Sequence, residues 1–126
     1  MTGEVSRKQA AVSFLRLAVS GKARDAFDTY AGGNFRHHNP YFRGDRESLI
    51  TGMENRTIAN PEQTLEFNRT LEDGNFVVVH SRIRMNSSDP GAALVHIFRF
   101  DGSWIVELWD IAQPVPEDCP NENGMF

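Results

Sequence analysis

"FVVVHSRIRMNSSDPGAALVHIFRFDGSWIVELWDIAQ", residues 76 to 113, contains three runs of β-branched and aromatic residues separated by "SSDPG" and by Asp101-Gly102. Within each run large apolar side chains recur with a period of two, and the interruptions supply the Gly, Pro, Ser and Asp that tight reversals need. Just upstream, "EDGN" at 72 to 75 is another hairpin signal, preceded by Leu65, Phe67 and Leu71. The reading is four long strands joined by hairpins. Before Pro61 the period is helical. Ser6 and Gln9 have capping-box spacing, followed by Ala11, Phe14, Leu15 and Ala18, and Gly21 ends the pattern. Ala26, Phe27 and Tyr30 mark a second helix that stops at Gly32-Gly33, and Asp45 caps a third carrying Leu49, Ile50 and Met53. A short extended piece, "NFRHHNP", lies between the second and third. The order is helix, helix, short strand, helix, four strands, which predicts an α+β fold. Three N-terminal helices pack on a curled, mostly antiparallel sheet and leave a conical pocket.

Composition bounds what such a pocket can serve. With 126 residues, 40% hydrophobic, the chain suits one sizeable core. That core is expected over residues 1–113, with 114–126, "PVPEDCPNENGMF", as a tail that drapes over it or stays disordered. Thirteen basic against seventeen acidic residues give a net charge of -4 with no basic run, arguing against nucleic acid or an anionic membrane as partner. No stretch is long and apolar enough to span a bilayer or to serve as a signal peptide, so a cytoplasmic location is expected. Cys119 is alone, which removes an internal disulfide and a cysteine zinc site. No HxxxH, HxH, GxSxG or glycine-rich phosphate loop occurs. No metal, nucleophilic serine or nucleotide cofactor is therefore expected.

The strings "HHNPYF", "VVVHSRIRM" and "VHIFRFDGSWIVELWD", together with Gln113, resemble the SnoaL-like polyketide cyclases of the nuclear transport factor 2-like superfamily, over roughly residues 5 to 113. The resemblance implies a cystatin-like cone, homodimers, and cofactor-free aldol cyclisation by an acidic base, in a superfamily that also holds isomerases, dehydratases and epoxide hydrolases. It places that acid/base at Asp110, in "ELWD", and a histidine of the preceding strand, His96, beside it. It also matches the "HNP" histidine to His38.

Proton abstraction next to a carbonyl needs a base in reach of the carbon acid and a donor for the developing enolate oxygen. Strand alternation puts Asp110 on a face with Val106 and Leu108, an apolar setting for such a base. Continued across the hairpins, the same alternation puts His80 and Arg82 on that face, together with Val95 and Ile97. His80 is then a proton shuttle, and Arg82 a donor to an enolate or a substrate carboxylate. For His96 the residues conflict. A two-residue turn at Asp101-Gly102 pairs it with Glu107, away from Asp110, whereas a three-residue turn or a bulge brings it round to Asp110.

At the corner, Asn39-Pro40 launches the third helix. His38 faces the mouth or hydrogen-bonds the corner, His37 is solvated, and Tyr41 follows as a substrate contact. Ile105, Glu107 and Trp109 then face outward. Trp109, Phe98 and Leu94 are expected to form an apolar patch for a homodimer, unless the tail covers it. The function expected is acid/base chemistry on an apolar carbonyl compound, with Asp110, His96 and His80 catalytic. The alternatives are a non-catalytic binding module of the same shape, or epoxide hydrolysis through Asp110 and Arg82.

Overall fold

The computed structural model describes residues 5–126. Among them are α1 (Arg7–Val19), α2 (Ala23–Tyr30), β1 (Ala31–His37), α3 (Arg46–Ala59), β2 (Thr64–Asp73), β3 (Phe76–Arg84), β4 (Ala92–Asp101) and β5 (Trp104–Pro114). The element order is the one the periodicity predicts. The strands form one open, curved sheet in the order β1-β5-β4-β3-β2, with β1 parallel to β5 and the other pairs antiparallel.

Local chemistry accounts for the helix ends. Ser6 Oγ accepts from the Gln9 amide at 3.1 Å while Gln9 Oε1 accepts from the Ser6 amide at 3.0 Å, closing the capping box of α1. Asp45 accepts from the Ser48 amide at 2.9 Å and starts α3. At Gly21 a φ of +87° turns the chain from α1 into α2, a conformation that a Cβ would strain.

The helices bury Phe14, Phe27, Leu49 and Ile50 against the concave face of the sheet, where Val77, Val79, Phe98, Phe100 and Leu108 point inward. Phe14 meets Phe27 edge-on at 4.9 Å and Phe98 at 5.7 Å, so one ring ties α1, α2 and β4 together.

Besides a register shift between Ala31 and Arg36 where β1 meets β5, two irregularities interrupt the antiparallel pairs. One lies in β2, where the register with β3 slips between Phe67 and Arg69. The other lies between β4 and β5. Asp101 pairs with Trp104 and Phe100 with Ile105, but Arg99 pairs with Glu107, leaving Val106 as the extra residue of a bulge. This single insertion changes which side chains share a face. Beyond it His96 stands opposite Asp110, and Ile97 opposite Trp109. By contrast, β3 and β4 pair without a shift, with His80 opposite Val95 and Val78 opposite Ile97, so those side chains share one face as alternation predicts.

Several expectations are corrected by that bulge. Phe98 and Leu94 are buried on the concave side and are not part of an outer patch with Trp109. Ile97 pairs with Trp109 on the convex face, and Val106 is buried at the bulge beside Gly32 rather than in the cavity wall. Leu108 is concave but lies in the core under the helices. On the convex face the tail returns to the sheet. The Val115 amide donates to the Gly91 carbonyl at 2.9 Å, and the Phe126 ring lies 6.1 Å from the His80 ring and 4.8 Å from the Arg82 guanidinium carbon.

Candidate functional site

Between the end of α1, the 38–42 corner, α3 and the open half of the concave sheet lies a cavity of about 710 Å³. Such a volume is within the range of roughly 300–1,000 Å³ that drug-sized ligands occupy. Its wall is mainly apolar, with Leu15, Ala18, Leu49, Met53, Leu65 and Leu94 contributing. Gly52 leaves room there for the Phe42 ring, with which a Cβ would clash.

Into this wall project His96 from β4 and Asp110 from β5. Their side chains are 7% and 17% exposed, and His96 Nε2 lies 3.8 Å from Asp110 Oδ1. That separation is too long for a hydrogen bond. The other carboxylate oxygen, Oδ2, accepts from Asn39 Nδ2 at 2.8 Å. Asn39 is itself held. Its Oδ1 accepts from the Tyr41 amide at 2.9 Å, and its own amide donates to His37 Nδ1 at 3.1 Å. His37 Nε2 in turn donates to the Arg43 carbonyl at 2.7 Å. The corner thus positions one amide on one carboxylate oxygen and leaves Oδ1 without a hydrogen bond among the described residues.

Burial lowers the His96 pKa below its ordinary 6.5. The nearby Asp110 charge opposes the shift, and Arg56 adds to it. His96 is therefore neutral at pH 7. Its Nδ1 is buried with no hydrogen-bond partner. A bare lone pair is tolerated there more readily than a bare N–H, so the proton sits on Nε2, facing Asp110.

Of the other candidates, His38 borders the cavity, but its ring is turned to the convex face. There its Nε2 is 2.6 Å from Glu107 Oε2, and the ring stacks on Trp109 at 4.9 Å. Glu107 also accepts from Arg36 at 3.0 Å and Arg99 at 2.8 Å. Burial pushes the Glu107 carboxyl up, but the hydrogen bonds from His38, Arg99 and Arg36 outweigh it and hold the group at about 2. A His96–Glu107 pair does not form. Tyr41 is 85% exposed at the mouth.

His80 and Arg82 are outside the cavity. Arg69 donates to His80 Nδ1, and Arg82 donates to the Pro90 carbonyl at 2.7 Å. Both side chains belong to the convex face because Val79, Ser81 and Ile83 are the buried set of β3. His37, expected in solvent, is 5% exposed and braces the corner. Asn39, which the sequence marks only as a corner residue, and Arg56, which it does not mark, both line the cavity. For Asn39 the available signal was its place beside "HH"; for Arg56 it was a helical position with no carboxylate three or four residues away. The described residues contain no cluster of three or more potential metal ligands.

The sequence matches no protein-family model and none of the curated proteins. Solved structures do resemble it. A nuclear transport factor 2-like protein of unknown function from Cytophaga hutchinsonii superposes with a TM-score of 0.71 at 18% identity, covering 90% of this chain and 96% of that one. This chain has the nuclear transport factor 2-like fold. The same fold carries a proposed polyketide cyclase from Acidithiobacillus ferrooxidans, with TM-score 0.69, 18% identity and coverage of 90% and 92%. It also carries a proposed isomerase of the SnoaL-like family from Agrobacterium tumefaciens, with TM-score 0.69, 12% identity and coverage of 86% and 99%. At such identities the nuclear transport factor 2-like fold is shared while the chemistry is not specified, so activity has to be argued from the cavity.

Proposed function

We propose that this chain is a SnoaL-like enzyme performing cofactor-independent acid/base chemistry, an aldol-type cyclisation or an isomerisation, on an apolar carbonyl compound. The observation that carries the reading is the Asp110 carboxylate in an apolar cavity, with Oδ2 held by Asn39 at 2.8 Å and Oδ1 and the His96 Nε2–H 3.8 Å apart and unspent. Two groups at that separation can both reach one substrate, each at about 2.8 Å.

In the proposed step Asp110 Oδ1 removes the proton α to the carbonyl. The C–H electron pair becomes the enolate, and the His96 Nε2–H donates to its oxygen. In a cyclisation the enolate carbon attacks a second carbonyl of the same molecule. A C–C bond forms, and the new alkoxide takes back the proton held by Asp110. In an isomerisation the proton returns to a different carbon. Neutral His96 suits the donor role, because an imidazolium so close to Asp110 would hold the base in an ion pair. Arg82 on the convex face cannot partner Asp110, which removes support from epoxide hydrolysis. The resemblance to SnoaL-like cyclases also supports a homodimer formed by the convex face around Trp109.

Deuterium uptake α to the carbonyl, followed by NMR in D₂O over a panel of fused-ring β-keto esters, tests the reading. The wild type is expected to exchange at least one member roughly 100-fold or more faster than Asp110→Asn, the size of a lost general base. Compounds that bind but exchange no faster with wild type than with Asp110→Asn would make the chain a binding module.

A further inference from the structure

The cavity wall carries two fixed charges among the described residues, Asp110 and Arg56, and the proposed reaction uses only the first. Arg56 stands in the last turn of α3 on the exposed margin of the cavity. The helix offers it no partner. Residues three and four positions away are Gly52, Met53, Ala59 and Asn60, none of them a carboxylate. It makes no salt bridge among the described residues. Several other guanidiniums are committed elsewhere, and those of Arg16, Arg43 and Arg84 lie outside the cavity lining. Arg24 holds Glu47, Arg36 and Arg99 hold Glu107, and Arg46 donates to the Gly32 and Phe27 carbonyls. Yet the charge of Arg56 reaches into the cavity, since it is one of the influences that lower the His96 pKa.

We infer that Arg56 is an anion-recognition residue and that the cavity's substrates are amphipathic anions: an apolar body lying on Met53, Leu49 and Leu94, with a carboxylate or equivalent acidic group at the mouth. A guanidinium presents paired donors matched to a carboxylate, and the apolar wall weakens the screening that water would impose. The placement also sets polarity. An anionic group entering first would meet the Asp110 carboxylate, whereas one trailing at the mouth meets Arg56 and leaves the carbonyl end near Asp110 and His96. That orientation rests on the proposed function; the preference for an anion does not.

Two fluorescent probes of nearly equal apolar surface separate charge from burial: 1-anilinonaphthalene-8-sulfonate, an anion, and N-phenyl-1-naphthylamine, its uncharged counterpart. Fluorescence titration of wild type, Arg56→Gln, Arg56→Lys and Asp110→Asn measures both affinities. Arg56→Gln is expected to weaken the sulfonate roughly three- to tenfold and the amine less than twofold, with Arg56→Lys in between. Asp110→Asn is expected to tighten the sulfonate, since it removes a like charge from the same cavity. Equal losses for the two probes, no loss for either, or no binding of the sulfonate to wild type would overturn the inference and leave Arg56 as a surface charge complementing the C-terminal dipole of α3. Deuterium exchange reads the enzyme proposal separately. Probe discrimination without exchange sinks the enzyme reading alone, and exchange without discrimination sinks this one alone.

Discussion

His96 is perturbed by burial and Glu107 by the hydrogen bonds that outweigh its burial, and their effects on stability fall in different pH windows. For His96 the folded pKa lies below 6.5. As pH falls below that value the unfolded chain takes up a proton that the folded chain refuses, so unfolding is favoured progressively until the folded pKa is passed. His96→Gln removes this uptake. Its stability should change less than that of wild type as pH falls below 6.5, measured by urea unfolding at a series of pH values. Glu107 is held at about 2 against an ordinary 4.5. Its contribution is present above 4.5 and is lost as pH falls toward 2. Glu107→Gln is expected to destabilise the fold by about 1–2 kcal/mol at neutral pH, because its partners are partly exposed, and to flatten the acid limb of the same curves. An unchanged acid limb would mean that the cluster on the convex face holds little energy. The two histidines of "HH" also part company at this scale. Alternation correctly sends them to opposite faces, but burial and hydrogen bonding reverse their expected roles: His37 braces the corner, and His38 stacks on Trp109.

At the scale of elements, β5 carries most of the functional information. Its length, its alternation and the turn before it were legible, because turn residues and period two are local properties. Its face assignment was not. The choice between His80 and His96 as the companion of Asp110 depends on whether one residue, Val106, is paired or bulged. Even and odd registers bury nearly as many apolar side chains in this strand, since Ile105, Val106, Leu108 and Trp109 occupy both parities. Packing of the concave face against α1 and α2 breaks the tie. Phe98 and Phe100 must both point at Phe14 and the helices, and His96 follows them by alternation. The helices show the converse case. Their caps are chosen by neighbours three residues away, and Ser6 and Asp45 do what the sequence implies.

For the whole molecule, the convex face raises the question of a second copy. Trp109, Phe76 and Ile111 lie on or beside it, with Phe76 38% and Ile111 56% exposed. A homodimer formed there should sediment at twice the mass of 14.2 kDa, and Trp109→Glu should return it to monomer without loss of the far-UV circular dichroism of the fold. Sedimentation of the wild type as a monomer across micromolar concentrations would discard the dimer. The tail lies on this face as well, with the Phe126 ring over His80 and Arg82.

By itself, then, the sequence determined the order of elements, the starts of α1 and α3 and the α+β class. These follow from period, caps and turns that act over a few positions. The stop expected at Gly32-Gly33 falls inside β1, and α2 ends at Tyr30. Only the tertiary structure decided which histidine faces Asp110, that Asn39 holds the carboxylate, and that Arg56 opens onto the same cavity. Those facts join residues between 14 and 71 positions apart in the chain, and they depend on one bulge and on three elements closing around the same space. Local preference places each residue on its own strand or helix, but only packing decides which faces meet.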